Sequence, residues 1–279
     1  MGHTRGGVVS QVRALRGGRT SAVHAVRLAG SGRPSETVVL RRYVRPGVLV
    51  ERPDIVQHEA GVLVHLGPTP LAVPRLLAVD TTGSEAGVPA VLMSHLPGRL
   101  EWSPRDVEPW LRELAGFLVG LQDVPVPAGH GLGTFTPYPP EQLEPPAWLQ
   151  RTSLWDRAVD VLRSPPVDTA RALIHRDYHP GNVLWLASKV TGVVDWQEAC
   201  VGPPSVDVAW CRLMVLGRFG MDAADRLVST WEAASGRAYH PWSEVVLLLD
   251  RLSWPSVPKA QVRADLEVTL ARRLAELDG

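Results

Sequence analysis

The stretch LIHRDYHPGNVLWLASKVTGVVDW, residues 173–196, constrains this chain more than any other. Two short apolar runs, 182–186 and 190–196, flank a tight turn at Ala187–Lys189 and read as a β-hairpin. His175, Arg176, Asp177, His179 and Asn182 crowd its entrance, and Asp195 stands at its exit. A hairpin brings its two ends together. Asp177, Asn182 and Asp195 can therefore converge, and any fold must repay the polarity set between apolar runs.

Three chemistries suit such a loop. His175, Asp177 and His179 are ligand types that zinc accepts, but no further His, Asp or Cys cluster with ligand spacing completes a shell. A Ser/His/Asp nucleophile is disfavoured because no GxSxG elbow is present. Phosphoryl transfer needs a carboxylate to take a hydroxyl proton, an amide oxygen five residues on to hold a metal, and a second carboxylate against the phosphates. Asp177 and Asn182 have that His-Arg-Asp-x4-Asn spacing, and Asp195 follows thirteen residues after Asn182. All three spacings coincide, so ordinary turn polarity is a poor account of them. The histidines have a different reading: His175 holds loop backbone, and His179 with Pro180-Gly181 shapes the turn or touches substrate.

The first hundred residues supply matching parts. Residues 8–16 and 21–29 alternate as strands around a turn, and 36–44 reads as a third, antiparallel strand. Gly17, Gly18, Arg19, Thr20 and Ser21 at the hairpin tip could lay backbone N–H groups over phosphates. The run VVLR, 38–41, ends apolar residues on a cation, Arg41, with Arg42 one residue off. A helix is expected over 52–67, with Pro53 at its first position and Gly67 at its stop. Its stripe of Ile55, Val62 and Leu66 also carries Glu59, and a buried carboxylate needs a cation. Arg41 is the natural partner. Two further strands are expected in PRLLAVD and VPAVLMSHL.

From Ser103-Pro104 onward the pattern is helical. Val107, Trp110, Leu111, Leu114, Phe117, Leu118 and Leu121 form one buried face, and more helices are expected at 146–163, 205–218, 221–235, 241–252 and 258–277. All ten tryptophans lie beyond residue 101, which points to two regions of different construction with a boundary in 94–104. The proline-rich 136–148 reads as a connection between helices. Lys plus Arg equals Asp plus Glu at 29 each, so no global field argues for nucleic acid or a membrane surface. With no signal peptide or membrane span in the pattern, and only Cys200 and Cys211, the expected compartment is the cytoplasm.

LIHRDYHPGNVLW followed by VVDWQEACVGPPSVDVAW resembles the aminoglycoside phosphotransferase family, and the resemblance extends back through the glycine loop, the cation strand, Glu59 and VLMSHLPG at 91–98. It implies an α+β, two-lobed protein-kinase-like fold, with a nucleotide-binding lobe over 1–96 and a helical catalytic and substrate-binding lobe over 97–279. It also implies ATP or GTP in the cleft and Mg²⁺ at its phosphates. Asp177 would be the catalytic base, Asn182 and Asp195 the metal ligands, and the backbone of Ser94, His95 and Leu96 the hinge that reads the purine. Asp207 would anchor the catalytic loop.

Two departures stand out. Arg176 occupies a position that is usually glycine in the family, and Arg41 replaces the usual lysine; arginine is longer and forks two oxygens. Asp-Trp-Gln at 195–197 favours a small-molecule kinase over a protein kinase. The expected activity is transfer of a γ-phosphate to a substrate hydroxyl, an antibiotic or related metabolite. A nucleotide-binding pseudokinase is the alternative, with a zinc-dependent hydrolase behind it. Glu198, Asp222, Asp225, Glu232, Glu244 and Asp250 could face a cationic acceptor, but Arg212, Arg218, Arg226 and Arg237 are interleaved with them, so no aminoglycoside is implied. Oligomeric state is left open.

Overall fold

A computed structural model describes residues 8–15, 21–30, 33–129, 131–166, 170–254 and 257–278. They form two compact units. One comprises Met1–Arg99 with Leu184–Leu186 and Thr191–Ala199, the other Leu100–Val183 with Ala187–Val190 and Cys200–Gly279. Among the described residues no helix is long and apolar enough to cross a membrane.

The first unit is built on an antiparallel sheet. Strands β1 (Val8–Leu15), β2 (Ala22–Gly30), β3 (Arg33–Arg42), β4 (Leu76–Asp80) and β5 (Ala90–Ser94) run in the order β1-β2-β3-β5-β4. The third strand begins earlier than its β-branched core implies and stops at Arg42, where Tyr43 N–H bonds the Pro89 carbonyl.

Helix α1 (Pro46–Glu51) was not expected, and α2 (Ile55–Leu66) starts three residues later than anticipated. Pro53 lies in the turn between them, because residue 52 leaves helical geometry at φ −133°. The stripe itself is as expected: Ile55, Glu59, Val62 and Leu66 are all buried as α2 packs on β4 and β5. The hairpin strands are β8 (Val183–Leu186) and β9 (Lys189–Val193), hydrogen-bonded beside the short β6 (Arg99–Leu100). The turn residues Ala187 and Ser188 have φ of 49° and 61°, the left-handed pair that a two-residue hairpin demands.

The second unit is helical. Helix α3 (Val107–Gln122) starts at Val107, not at Ser103-Pro104, because the Asp106 carboxylate caps it through Glu108 N–H at 3.1 Å. Its buried face is Trp110, Leu111, Leu114, Phe117, Leu118 and Leu121; Val107, at the first position, is half-buried. Helices α4 (Thr152–Arg163), α5 (Ser205–Phe219), α6 (Met221–Ser235), α7 (Pro241–Leu252) and α8 (Ala260–Asp278) follow. α5 packs on α6 and α7, and α8 on α7. A two-stranded ladder of β7 (Ala172–Ile174) and β10 (Cys200–Gly202) pairs Ile174 with Cys200, and neither strand is marked by period-two alternation. The polar loop after β7 lies beside the first turn of α5, where the His175 and Arg176 N–H groups meet Asp207.

Candidate active site

In the first unit, register puts Arg41 between Val23 of β2 and Val91 of β5. The pleat turns Arg41 and Tyr43 to the buried face and Arg42 away, so the pairing belongs to Arg41 and not to its neighbour. Its Nη1 donates to Glu59 Oε1 at 2.7 Å and to Asp195 Oδ1 at 2.8 Å. Burial works against the Arg41 charge, but Glu59 and Asp195 outweigh it and hold the guanidinium above the ordinary arginine range. Burial also drives the Glu59 carboxyl up, against Arg41, the Tyr43 hydroxyl at 2.8 Å and the Trp196 backbone N–H. Two carboxyl groups thus share one cation. Arg41 Nε is buried without a partner among the described residues, a donor that an added acceptor would satisfy.

Asp195 lies two residues beyond β9 at φ 74°, a left-handed geometry that costs a non-glycine residue about 1–3 kcal/mol. The following segment is tied down: Arg52 Nη1 forks both Glu198 carboxylate oxygens at 2.9 and 3.1 Å, and His58 Nε2 meets the Ala199 carbonyl at 2.7 Å. Ser94 closes β5, its N–H and Oγ bonding the Arg75 carbonyl and N–H at 2.9 Å each. His95 is exposed, and Leu96 packs against Gly192, where a Cβ would come within 2.7 Å of Leu96 Cδ1. Of the glycine loop, Gly17, Gly18, Arg19 and Thr20 lie outside the described residues, and Ser21 is buried.

In the second unit, the loop after β7 is held from inside. The Asp207 carboxylate, in the first turn of α5, accepts the His175 N–H at 2.6 Å and the Arg176 N–H at 2.8 Å. Full burial pushes its carboxyl up to about 7, against those two bonds. His175 is fully buried, and its Nδ1 accepts the Asp177 N–H at 3.3 Å. His179 Nδ1 accepts the Gly181 N–H at 3.0 Å, closing the turn before β8. Both histidines spend a ring nitrogen on backbone, and among the described residues no group of three His, Cys, Asp or Glu side chains is arranged to hold a metal.

Asp177 is the loop's half-exposed carboxylate. Asn182 Nδ2 donates to its Oδ2 and to its carbonyl, both at 2.9 Å, leaving the Asn182 amide oxygen uncommitted to Asp177. Trp210 Nε1 donates to Asp177 Oδ1 at 2.9 Å, and His179 Nε2 lies 3.6 Å from the same oxygen. Burial opposes the Asp177 charge, but His179, His175 and Trp210 prevail and hold the carboxyl below its ordinary value.

Arg176 sits at φ 72°, with its guanidinium 4.5 Å over the Phe135 ring, a cation–π stack that packs it within the second unit. Sequence reasoning missed Tyr43 and Trp210. Both carried a signal: Tyr43 is two residues beyond Arg41 on one pleat face, and Trp210 is three beyond Asp207 on one helix face. Among the acids weighed for a cationic acceptor, Glu198 pairs with Arg52, Asp225 with Arg212 and Arg272, and Glu244 with Arg212 and Arg273. Glu232 accepts the Tyr239 N–H. Asp250, half-buried, forms no ion pair among the described residues.

The model of the phosphotransferase enzyme family (APH) matches residues 11–245. The chain belongs to that family. A homoserine kinase of Methylobacterium sp. strain 4-46 is 28% identical over 189 residues, 62% of this chain and 59% of that protein, so the match spans under two thirds of the relative. Among solved structures, macrolide 2'-phosphotransferase MphH from Brachybacterium faecium superposes with a TM-score of 0.65 at 18% identity, covering 95% of this chain and 94% of that one. A thermostable mutant of the aminoglycoside phosphotransferase APH(4)-Ia, in ternary complex with ADP and hygromycin B, gives 0.63 at 15% identity over 94% of each chain. These likenesses establish the α+β protein-kinase-like fold that the resemblance implied.

Proposed function

We propose that this family member is a small-molecule O-phosphotransferase that moves the γ-phosphate of a Mg²⁺-bound nucleoside triphosphate, ATP or GTP, to a substrate hydroxyl. The observation that carries the reading is the Asp177 carboxylate, ionised, half-exposed, and hydrogen-bonded by Asn182 five residues on. In this reading Asp177 orients the acceptor hydroxyl and takes its proton. The acceptor oxygen forms a bond to the γ-phosphorus as the bond to the β-phosphate oxygen breaks, releasing the nucleoside diphosphate. In this reading the metal ligands are Asn182 and Asp195: the amide oxygen of the one and the carboxylate of the other are each donors of the type magnesium takes. Bound there, Mg²⁺ would neutralise phosphate charge.

Arg41, braced by Glu59 and Tyr43, would steady the phosphates, its buried Nε donating to an oxygen. The 17–21 loop would cover the phosphates, and the backbone of Ser94, His95 and Leu96 would read the base. Catalysis rests on positioning and charge neutralisation. A homoserine kinase, a macrolide 2'-phosphotransferase and an aminoglycoside phosphotransferase bound to ADP and hygromycin B among similar proteins support a hydroxyl acceptor, and the arginine-paired acids argue against a polycationic one. The test is a panel of alcohols incubated with Mg·ATP or Mg·GTP and screened by mass spectrometry for a gain of one phosphate.

A second reading, a nucleotide-binding pseudokinase, is favoured by one observation: Arg41 stands where the family has lysine and already engages both carboxylates. Metal-dependent nucleotide binding by thermal shift, with neither hydrolysis nor transfer across the panel, would select it.

A further inference from the structure

We infer that Trp210 is a positioning residue for phosphoryl transfer, its indole N–H fixing the plane of the Asp177 carboxylate; the inference rests on Asp177 being the base. The terminal torsion of an aspartate is soft and roughly two-fold, so a carboxylate held at one oxygen can still swing. Asn182 holds Oδ2 at 2.9 Å, and Trp210 Nε1 holds Oδ1 at 2.9 Å from α5. With both oxygens tethered from different elements, the carboxylate has one orientation to offer an acceptor.

The indole is itself held. Its body is buried at 6% exposure, and the Trp254 ring packs 5.7 Å from it at 58°. Trp254 Nε1 in turn donates to Asp250 Oδ1 at 3.3 Å. Other buried indoles of the chain meet neutral acceptors: Trp231 bonds the Gln122 amide oxygen, Trp196 the Val193 carbonyl and Trp242 the Val161 carbonyl. Trp210 alone of these four meets a carboxylate, and a charge-assisted bond is roughly twice as strong as a neutral one. α5 thus grips the loop twice from one face, Asp207 by the backbone and Trp210 by the side chain that does the chemistry.

The experiment replaces Trp210 in the full chain by β-(3-benzothienyl)alanine, which keeps the bicyclic shape and lacks the N–H. The probe is Mg·ATP with water as acceptor, read as release of inorganic phosphate. Turnover should fall roughly 10- to 100-fold, the scale set by a misplaced catalytic group, while KM for Mg·ATP stays within about twofold. Trp210→Phe should reproduce the loss. Turnover within about twofold of wild type for the isostere overturns the inference, as does an isostere that is active where Trp210→Phe is not, since ring volume would then be the whole role. Asp177→Asn run alongside separates the two claims: wild-type turnover in that variant removes the base assignment itself, whereas an inactive Asp177→Asn beside an active isostere removes only the role of Trp210.

Discussion

Asp207→Ala is the sharpest test of how the catalytic loop is held. The substitution removes a fully buried carboxylate that accepts two backbone N–H groups, His175 and Arg176, at 2.6 and 2.8 Å. A buried donor left unpaired costs about 1–3 kcal/mol, so the pair sets a gross loss of about 2–6 kcal/mol. Desolvation of the Asp207 carboxylate, strong enough to lift it to about 7, offsets part of this. The expected net destabilisation is therefore about 2–4 kcal/mol, a large share of the ~5–15 kcal/mol that holds a typical domain.

Arg176 makes the reasoning specific, because its bond to Asp207 helps hold a φ of 72° that costs an arginine about 1–3 kcal/mol. Arg176→Gly relieves that strain and should couple to Asp207→Ala by roughly 1 kcal/mol or more in a double-mutant cycle. Urea unfolding followed by tryptophan emission measures both. Trp185 and Trp196 belong to the first unit and the other eight of the ten tryptophans to the second, so the signal reports chiefly on the unit perturbed. A loss below about 1 kcal/mol, or additive substitutions, would refute the claim that Asp207 holds the loop through these two bonds.

The raised Asp207 carboxyl also predicts a pH dependence. The folded state binds this proton more tightly than the unfolded one, so its contribution to stability is full below about 4 and is lost as pH rises to about 7. Roughly 4 kcal/mol bounds the effect at 1.36 kcal/mol per unit, and Asp207→Asn should flatten that limb of the stability–pH curve. Glu244→Gln should destabilise by about 3–5 kcal/mol in the same urea assay, since it removes a fully buried carboxylate that answers Arg212, Arg273 and the Tyr239 hydroxyl. Arg41→Met should abolish the thermal shift produced by Mg·ATP, and an undiminished shift would separate Arg41 from the phosphates.

The sequence made some side-chain pairings more legible than the element boundaries. Glu59 on an apolar stripe pairs with Arg41 on pattern alone, because a buried carboxylate demands a cation and only one inward strand end supplies it. The spacing of Asp177 and Asn182 marked both as one loop's polar pair, but not the hydrogen bond between them, which the turn at Pro180-Gly181 makes by bringing the amide back. The starts of α2 and α3 were read early because proline is permitted at a first turn without marking one. Asp106 outcompeted Ser103-Pro104 by capping, and Pro53 fell in a turn once α1 claimed the residues before it. Strands β7 and β10, three residues each and wholly buried, had too little length for alternation to show. Tyr43 and Trp210 were readable only by asking which residues share a face with an already assigned one. Arg176 could not be settled from sequence, since its stack depends on Phe135, forty-one residues earlier.

The central claim is that Asp177 is the base of a hydroxyl-directed phosphoryl transfer. Its most direct measurement compares wild type and Asp177→Asn, mixed with Mg·ATP and an acceptor found in the alcohol panel, by the rate at which the phosphate ester appears. Asp177→Asn should bind Mg·ATP within about twofold of wild type and lose at least about 10²-fold in transfer rate, the lower bound for removing a general base. Transfer at an undiminished rate by Asp177→Asn would contradict the account.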